Sequence, residues 1–128
     1  MTHDEITQII ERFAKVWSEG DADLATRLFA PDATYAEPPR FAFTGREDLR
    51  RFFADFFARH TAVSFVVTRA IIAPDARSAA LAWTFAHTRN DDGHRAAYQG
   101  MSIIDITPDG LIGAWQGISM PTPDDGKP

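Results

Sequence analysis

The stretch Pro31-Asp32-Ala33-Thr34-Tyr35-Ala36-Glu37-Pro38-Pro39, followed by Thr44-Gly45-Arg46-Glu47, decides how this chain is read. Pro31-Asp32 reads as the stop of a helix. Residues 33–37 then form one short strand. Pro38-Pro39 brakes that strand, because proline has no N–H to give to a ladder, so the strand ends there or lies on an edge. Thr44-x-x-Glu47 has the spacing of a capping box and opens a new helix. One acidic side chain, Glu37, stands at the strand's end, while the residues around it are mostly apolar.

Working outward, Thr2-x-x-Glu5 is a second capping box. Ile6, Ile9, Ile10, Phe13, Val16 and Trp17 follow at helical period, and Gly20 ends that helix. Asp21 caps a shorter helix that buries Leu24, Leu28 and Phe29. After Thr44-x-x-Glu47, Leu49, Phe52, Phe53, Phe56 and Phe57 share one helical face. Glu47–Arg51 and Asp55–Arg59 make i,i+4 pairs on the other. From Val63 the period changes to two, and four strands are predicted over residues 63–73, 78–89, 95–107 and 111–120. Turns at Pro74–Arg77, Asn90–Gly93 and Pro108–Gly110 separate them, as in an antiparallel meander. The expected architecture is α+β: a cone-shaped barrel of three N-terminal helices on a strongly curved antiparallel sheet. Residues 1–120 make a single domain, and 121–128 a frayed tail without an apolar anchor.

Composition excludes several function classes. The chain has 128 residues, a net charge of -5 and no cysteine. The acidic balance argues against a nucleic-acid surface. Without cysteine there is neither a disulfide nor a thiolate metal site, which suits a reducing cytoplasm, where the protein is expected. The acidic start is not that of a secretory signal, and no apolar run is long enough to span a membrane. His3, His60 and His94 are scattered and show no His-x-x-x-His spacing, so neither metal nor cofactor is expected. The 10 phenylalanines give apolar volume without a polar handle, as a large dry core or pocket requires.

Strand parity gives the pocket wall. Leu81, Trp83, Phe85 and His87 share one face, as do Tyr98, Gly100 and Ser102, and Trp115, Gly117 and Ser119. The bulky set is expected to face the cone. Gly100 and Gly117 either leave room for a ligand or let the sheet bend. Ala80, Ala82, Thr84, Ala86, Ile104, Ile106, Ile112, Ile118 and Met120 are assigned to the outer face. An exposed apolar sheet of that kind seeks a partner, so a homodimer through this face is expected.

The order of elements resembles the nuclear transport factor 2-like superfamily, in its SnoaL-like and ketosteroid isomerase branch. The resemblance covers roughly residues 5 to 120. It rests on Gly20-Asp21-Ala22-Asp23-Leu24, Phe29-Ala30-Pro31-Asp32-Ala33-Thr34, Thr44-Gly45-Arg46-Glu47-Asp48-Leu49 and Ile106-Thr107-Pro108-Asp109-Gly110-Leu111-Ile112. Isomerases, cyclases, dehydratases, epoxide hydrolases and non-enzymes all share this fold. The resemblance implies that Glu37, the acid before Pro38, occupies the place of the isomerase's catalytic base. The isomerase's tyrosine falls at Phe13, which has no hydroxyl, and its protonated aspartic acid falls at Ser102. Typical steroid isomerisation is therefore not expected. Trp115-Gln116-Gly117 carries no carboxylate, which argues against a two-carboxylate mechanism such as epoxide opening.

Each candidate has two readings. Glu37 is a general base or a solvated acid at a strand end. His87 is a second acid/base or hydrogen-bond donor, or a half-exposed residue near a hairpin. Ser102 is a donor to a substrate oxygen or an ordinary strand residue. Phe13, Trp17, Tyr35, Phe53, Phe57, Trp83, Phe85, Tyr98 and Trp115 either contact a substrate or pack the core. The expected function is cofactor-free isomerase, cyclase or lyase chemistry, with Glu37 taking a proton from a small apolar carbonyl or ring compound. The alternative is a non-catalytic module of the same fold that binds an apolar ligand or dimerises.

Overall fold

Helix α1 (His3–Glu19) starts where Thr2 and Glu5 cap each other. The Thr2 hydroxyl accepts the Glu5 N–H at 3.1 Å, and the Glu5 carboxylate accepts the Thr2 N–H at 3.0 Å. Those bonds hold the Glu5 carboxyl below its ordinary range. The apolar stripe from Ile6 to Trp17 is buried, and Gly20 closes the helix in the left-handed region with φ 70°. The computed structural model describes residues 1–122.

Asp21 caps α2 (Ala22–Arg27) by accepting the Leu24 N–H at 3.0 Å. The chain then enters β1 (Phe29–Glu37), which is longer than predicted. Pro31 is tolerated because it falls where the register between β1 and β6 (Ile112–Pro121) is interrupted. The Pro38-Pro39 turn, with an Arg40 N–H to Glu37 C=O bond of 2.9 Å, folds the chain back. It creates a strand missed in the sequence, β2 (Phe41–Thr44), which pairs Glu37 with Phe41 and Thr34 with Thr44.

Helix α3 (Arg46–Arg59) is capped by the Gly45 backbone, with φ 88° and no side-chain cap bond. The predicted Thr44–Glu47 box does not form. Thr44 is held as the last residue of the β1–β2 ladder, and Glu47 instead reaches Arg51 at 3.2 Å. The expected Asp55–Arg59 pair forms at 3.1 Å.

The meander follows as β3 (His60–Ile72), β4 (Ser78–Arg89), β5 (Arg95–Ile106) and β6. Among the described residues the sheet has six strands in the order β2-β1-β6-β5-β4-β3. The meander is antiparallel as predicted, but β1 joins β6 in parallel, so the sheet is mixed. That pairing is possible because four strands and a helix separate β1 from β6 and serve as the crossover. The three helices pack on one side of this open sheet, as in a nuclear transport factor 2-like cone. Of the expected frayed tail, Pro121 closes β6 and the Thr122 N–H reaches the Ala97 carbonyl at 3.0 Å. Residues 123–128 lie outside the described residues.

Three residues assigned to the outer face are in the core: Ile104, Ile106 and Ile112 are buried. Parity itself places Ile104 and Ile106 with Ser102, on the inward face of β5. Ile112 turns inward through a register shift, in which Asp105 faces Ala114 while Ile106 faces Ile112. Such a bulge reverses which face the alternating residues occupy. The outer face carries Ile71, Met101, Ile103, Ile118 and Met120, all more than half exposed. They lie in adjoining cross-strand rows: Ile71–Ala80–Ile103, Ala82–Met101–Ile118 and Thr84–Gln99–Met120.

Candidate active site

The inward faces of the sheet and the helices enclose a cavity of about 220 Å³. That is below the roughly 300–1,000 Å³ of pockets for drug-sized ligands, so it suits a compact molecule. Its walls are mainly aromatic. Trp17 comes from α1, Phe52 and Phe56 from α3, Phe65 from β3, and Trp83 and Phe85 from β4, while Tyr35 and Phe41 lie on the β1–β2 hairpin and Trp115 on β6. Polar groups enter at few points: Glu37, His87, Tyr98, Ser119 and Arg40.

Glu37 is the last residue of β1 and is 8% exposed. The turn after it brings Arg40 and Phe41 back to the same cavity. Tyr35, two residues earlier on the same strand face, stacks on Trp115 at 5.6 Å and on Phe41 at 5.4 Å. Burial, and then the nearby Glu37 charge, push the Tyr35 phenol well above its ordinary range, so it stays a neutral O–H. His87 is buried, edge-on to Phe56 at 5.2 Å and to His60 at 4.5 Å, and stacked on Tyr98 at 5.8 Å. The Arg40 guanidinium lies 4.7 Å from the centre of the Tyr98 ring, over its face.

Of the residues singled out in the sequence, Glu37, His87, Trp17, Tyr35, Trp83, Phe85, Tyr98 and Trp115 come together around this space. Phe13, Phe53, Phe57 and Ser102 are not among its lining residues. Phe13 and Phe53 lie one layer deeper in the fully packed core. Phe57 is half-buried behind Phe53 and the edge of Trp17. Ser102 accepts the indole N–H of Trp83 at 2.9 Å, so its oxygen serves the protein's own side chain. Arg40, Phe41, Phe52, Phe56, Phe65 and Ser119 complete the wall. The alternation of Phe41 and Phe43 just before Gly45 was the available signal for β2, and hence for Phe41.

The two glycines make room for side chains, not for a ligand. A Cβ on Gly100 would lie within 2.4 Å of the Trp83 ring, and one on Gly117 within 2.8 Å of both the Ser102 hydroxyl and the Met101 carbonyl. Gly100→Ala is therefore expected to displace Trp83 from its bond to Ser102 and to destabilise the fold by about 1–3 kcal/mol. Urea unfolding followed by tryptophan fluorescence measures this, and a stability equal to wild type would contradict the packing.

Among the described residues, no group of three or more His, Asp or Glu side chains is placed to hold a metal ion. No helix among them is long and apolar enough to cross a membrane.

Comparison with known proteins follows the same lines. No curated protein matches the chain. Among solved structures, SalBIII, described as an epoxide hydrolase/cyclase-like enzyme with a role in pyran ring formation in the polyether salinomycin, superposes with a TM-score of 0.80. It is 19% identical, over 95% of this chain and 94% of its own. A hypothetical protein from Catenulispora acidiphila with a ketosteroid isomerase-like fold, solved in complex with trimethylamine, gives a TM-score of 0.74. Its identity is 22%, over 85% of this chain and 82% of its own. At these identities the likeness is one of fold. The model of the SnoaL-like domain matches residues 10–115, from the middle of α1 to Trp115 on β6, and the chain belongs to that family, within the nuclear transport factor 2-like superfamily.

Proposed function

We propose that this protein is a cofactor-independent enzyme of isomerase, cyclase or lyase type, in which Glu37 takes a proton from a small apolar carbonyl or ring substrate. The observation that carries this reading is a nearly buried carboxylate lining a mainly aromatic cavity. In such a step the Glu37 carboxylate accepts a proton from the carbon next to a carbonyl. The C–H electron pair moves into a new C=C bond, and the carbonyl oxygen takes the negative charge. Returning the proton at another carbon isomerises the substrate; losing a leaving group makes the reaction a lyase. Neutral Tyr35 O–H and His87 border the same space and supply hydrogen bonds or proton transfer. The ring chemistry described for SalBIII supports the cyclase branch of this reading.

The test is exchange in heavy water. Small cyclic ketones such as 1-indanone are incubated with the protein in D₂O, and loss of the α-proton signal is followed by NMR. Exchange faster than in buffer is expected. Binding without any acceleration across such ketones would leave the non-catalytic module as the better reading.

A second copy of the chain is proposed to cover the outer sheet face. The rows around Met101 and Ile118 are apolar, contiguous and exposed, a combination that monomers rarely present to water. Light scattering is expected to give a dimer, and Ile118→Glu a monomer, because two copies of the charge would be buried at the interface. A monomeric wild-type mass would refute the proposal.

A further inference from the structure

Arg40 is the one arginine or lysine among the residues that line the cavity. It is exposed, so it stands where the cavity meets solvent. Carboxylates outnumber cations in this chain, 18 to 13, and Arg50, Arg51, Arg59 and Arg89 each pair with one. The Arg40 guanidinium makes neither an ion pair nor a hydrogen bond among the described residues. Even Glu37, on the same cavity wall, lies beyond the 4.0 Å of an ion pair.

Two contacts fix Arg40 at this opening. Its N–H bonds to the Glu37 carbonyl at 2.9 Å and closes a four-residue turn, whose ends lie within about 7 Å of each other. Its guanidinium lies over the face of Tyr98, which comes from β5 and lines the same cavity. A ring face attracts the charge of an arginine but takes up none of its N–H donors as a carboxylate would. A fork of donors that fits a carboxylate therefore stands at the opening, one tight turn from Glu37.

We propose that Arg40 binds a carboxylate on the ligand, so that the substrate is a compact cyclic keto acid, with its ring among the aromatic walls and its acid group at the opening. The inference rests on the proton-abstraction reading above and deepens it by naming the substrate class. A planar guanidinium holds a carboxylate through two parallel N–H···O bonds, which fixes direction as well as charge. The ring of such a ligand is then presented to Glu37 in one orientation. One cation balances one negative charge. A phosphate dianion would leave a charge uncompensated beside Glu37, and the carboxylate monoanion is therefore the better match. An acid group turned inward would meet Glu37 and the rings, so the same arrangement rejects the reversed pose.

The probes are 1-indanones that carry a carboxylate at each benzene-ring position in turn, each compared with its carboxamide, which has the same shape and no charge. Binding is followed by tryptophan fluorescence near pH 7, where the acids are ionised. At least one acid is expected to bind wild type about tenfold more tightly than its amide. Arg40→Met keeps an apolar stem over Tyr98 and removes the charge. It is expected to abolish that preference and leave amide binding unchanged. Should Arg40→Met fail to fold, salt decides on the wild type. Going from about 0.01 to about 0.15 M shortens the screening length from about 30 to about 8 Å, and is expected to weaken the acid and not the amide. A preference that survives in Arg40→Met, or an equal loss of acid and amide there, overturns the inference. If no acid outbinds its amide while wild type still accelerates the α-proton exchange of 1-indanone, the inference is overturned and the role of Glu37 stands. If acids, amides and 1-indanone all fail to bind, it falls together with the reading of the cavity as a ketone site.

Discussion

Glu37→Gln is expected to slow ketone proton exchange by about 10²–10⁴-fold, the usual contribution of a positioned general base. The substitution keeps the side chain's length and volume and removes its ability to accept a proton. The backbone around residue 37 does not depend on the carboxylate, since the Arg40 N–H bonds to the residue 37 carbonyl and the strand pairs with Phe41. Stability and fold should therefore be kept, and circular dichroism checks this. A fall in kcat with little change in KM marks lost proton transfer, whereas a rise in KM alone marks a lost binding contact. Glu37→Asp retains the acid but draws it back by one methylene. It is expected to fall between wild type and Glu37→Gln, because misplacement of about 1 Å can cost a base much of its effect. An unchanged exchange rate in Glu37→Gln would remove this residue from the chemistry.

Phe13→Ala is expected to destabilise the protein by about 3–5 kcal/mol, as large-to-small changes in fully packed cores do. Phe13 is 2% exposed and stacks on Trp115 at 4.7 Å, with edge contacts to Phe29, Phe65 and Trp17. Removing the ring leaves a void between helix α1 and strand β6 that these neighbours cannot all close on. The urea midpoint, read at fixed protein concentration with an unchanged slope, gives the loss. Phe57→Ala, at a half-buried site, should cost clearly less. A loss below about 1 kcal/mol for Phe13→Ala would mean that the position is not the packed centre described here.

The site was partly readable in advance. Glu37 stood out because a lone acid before a double proline ends a strand, and that is a property of neighbours in the chain. Trp83, Phe85 and His87 were found by parity, which holds along β4 because its pairing with β5 runs without interruption. Parity failed at Ile112, where a bulge shifts the register. It also could not tell which polar atoms are already engaged: Ser102 looks like a donor in sequence and is an acceptor for Trp83 in the fold. The Thr44 box shows the same limit, since Thr44 sits in the ladder with β1.

The sequence alone determined the α1 cap and stripe, the turns of the meander, the family resemblance and the position of Glu37 before Pro38. Each depends on residues a few places apart, whose spacing sets local geometry before any long-range contact forms. Tertiary structure decided the β2 hairpin, the parallel pairing of β1 with β6, the inward turn of Ile112 and the layer that Phe13 occupies. It also decided that the Trp83 indole N–H is taken up by Ser102. These depend on register and on which side chain, distant in sequence, meets a given donor or face. Local spacing carries no information about that.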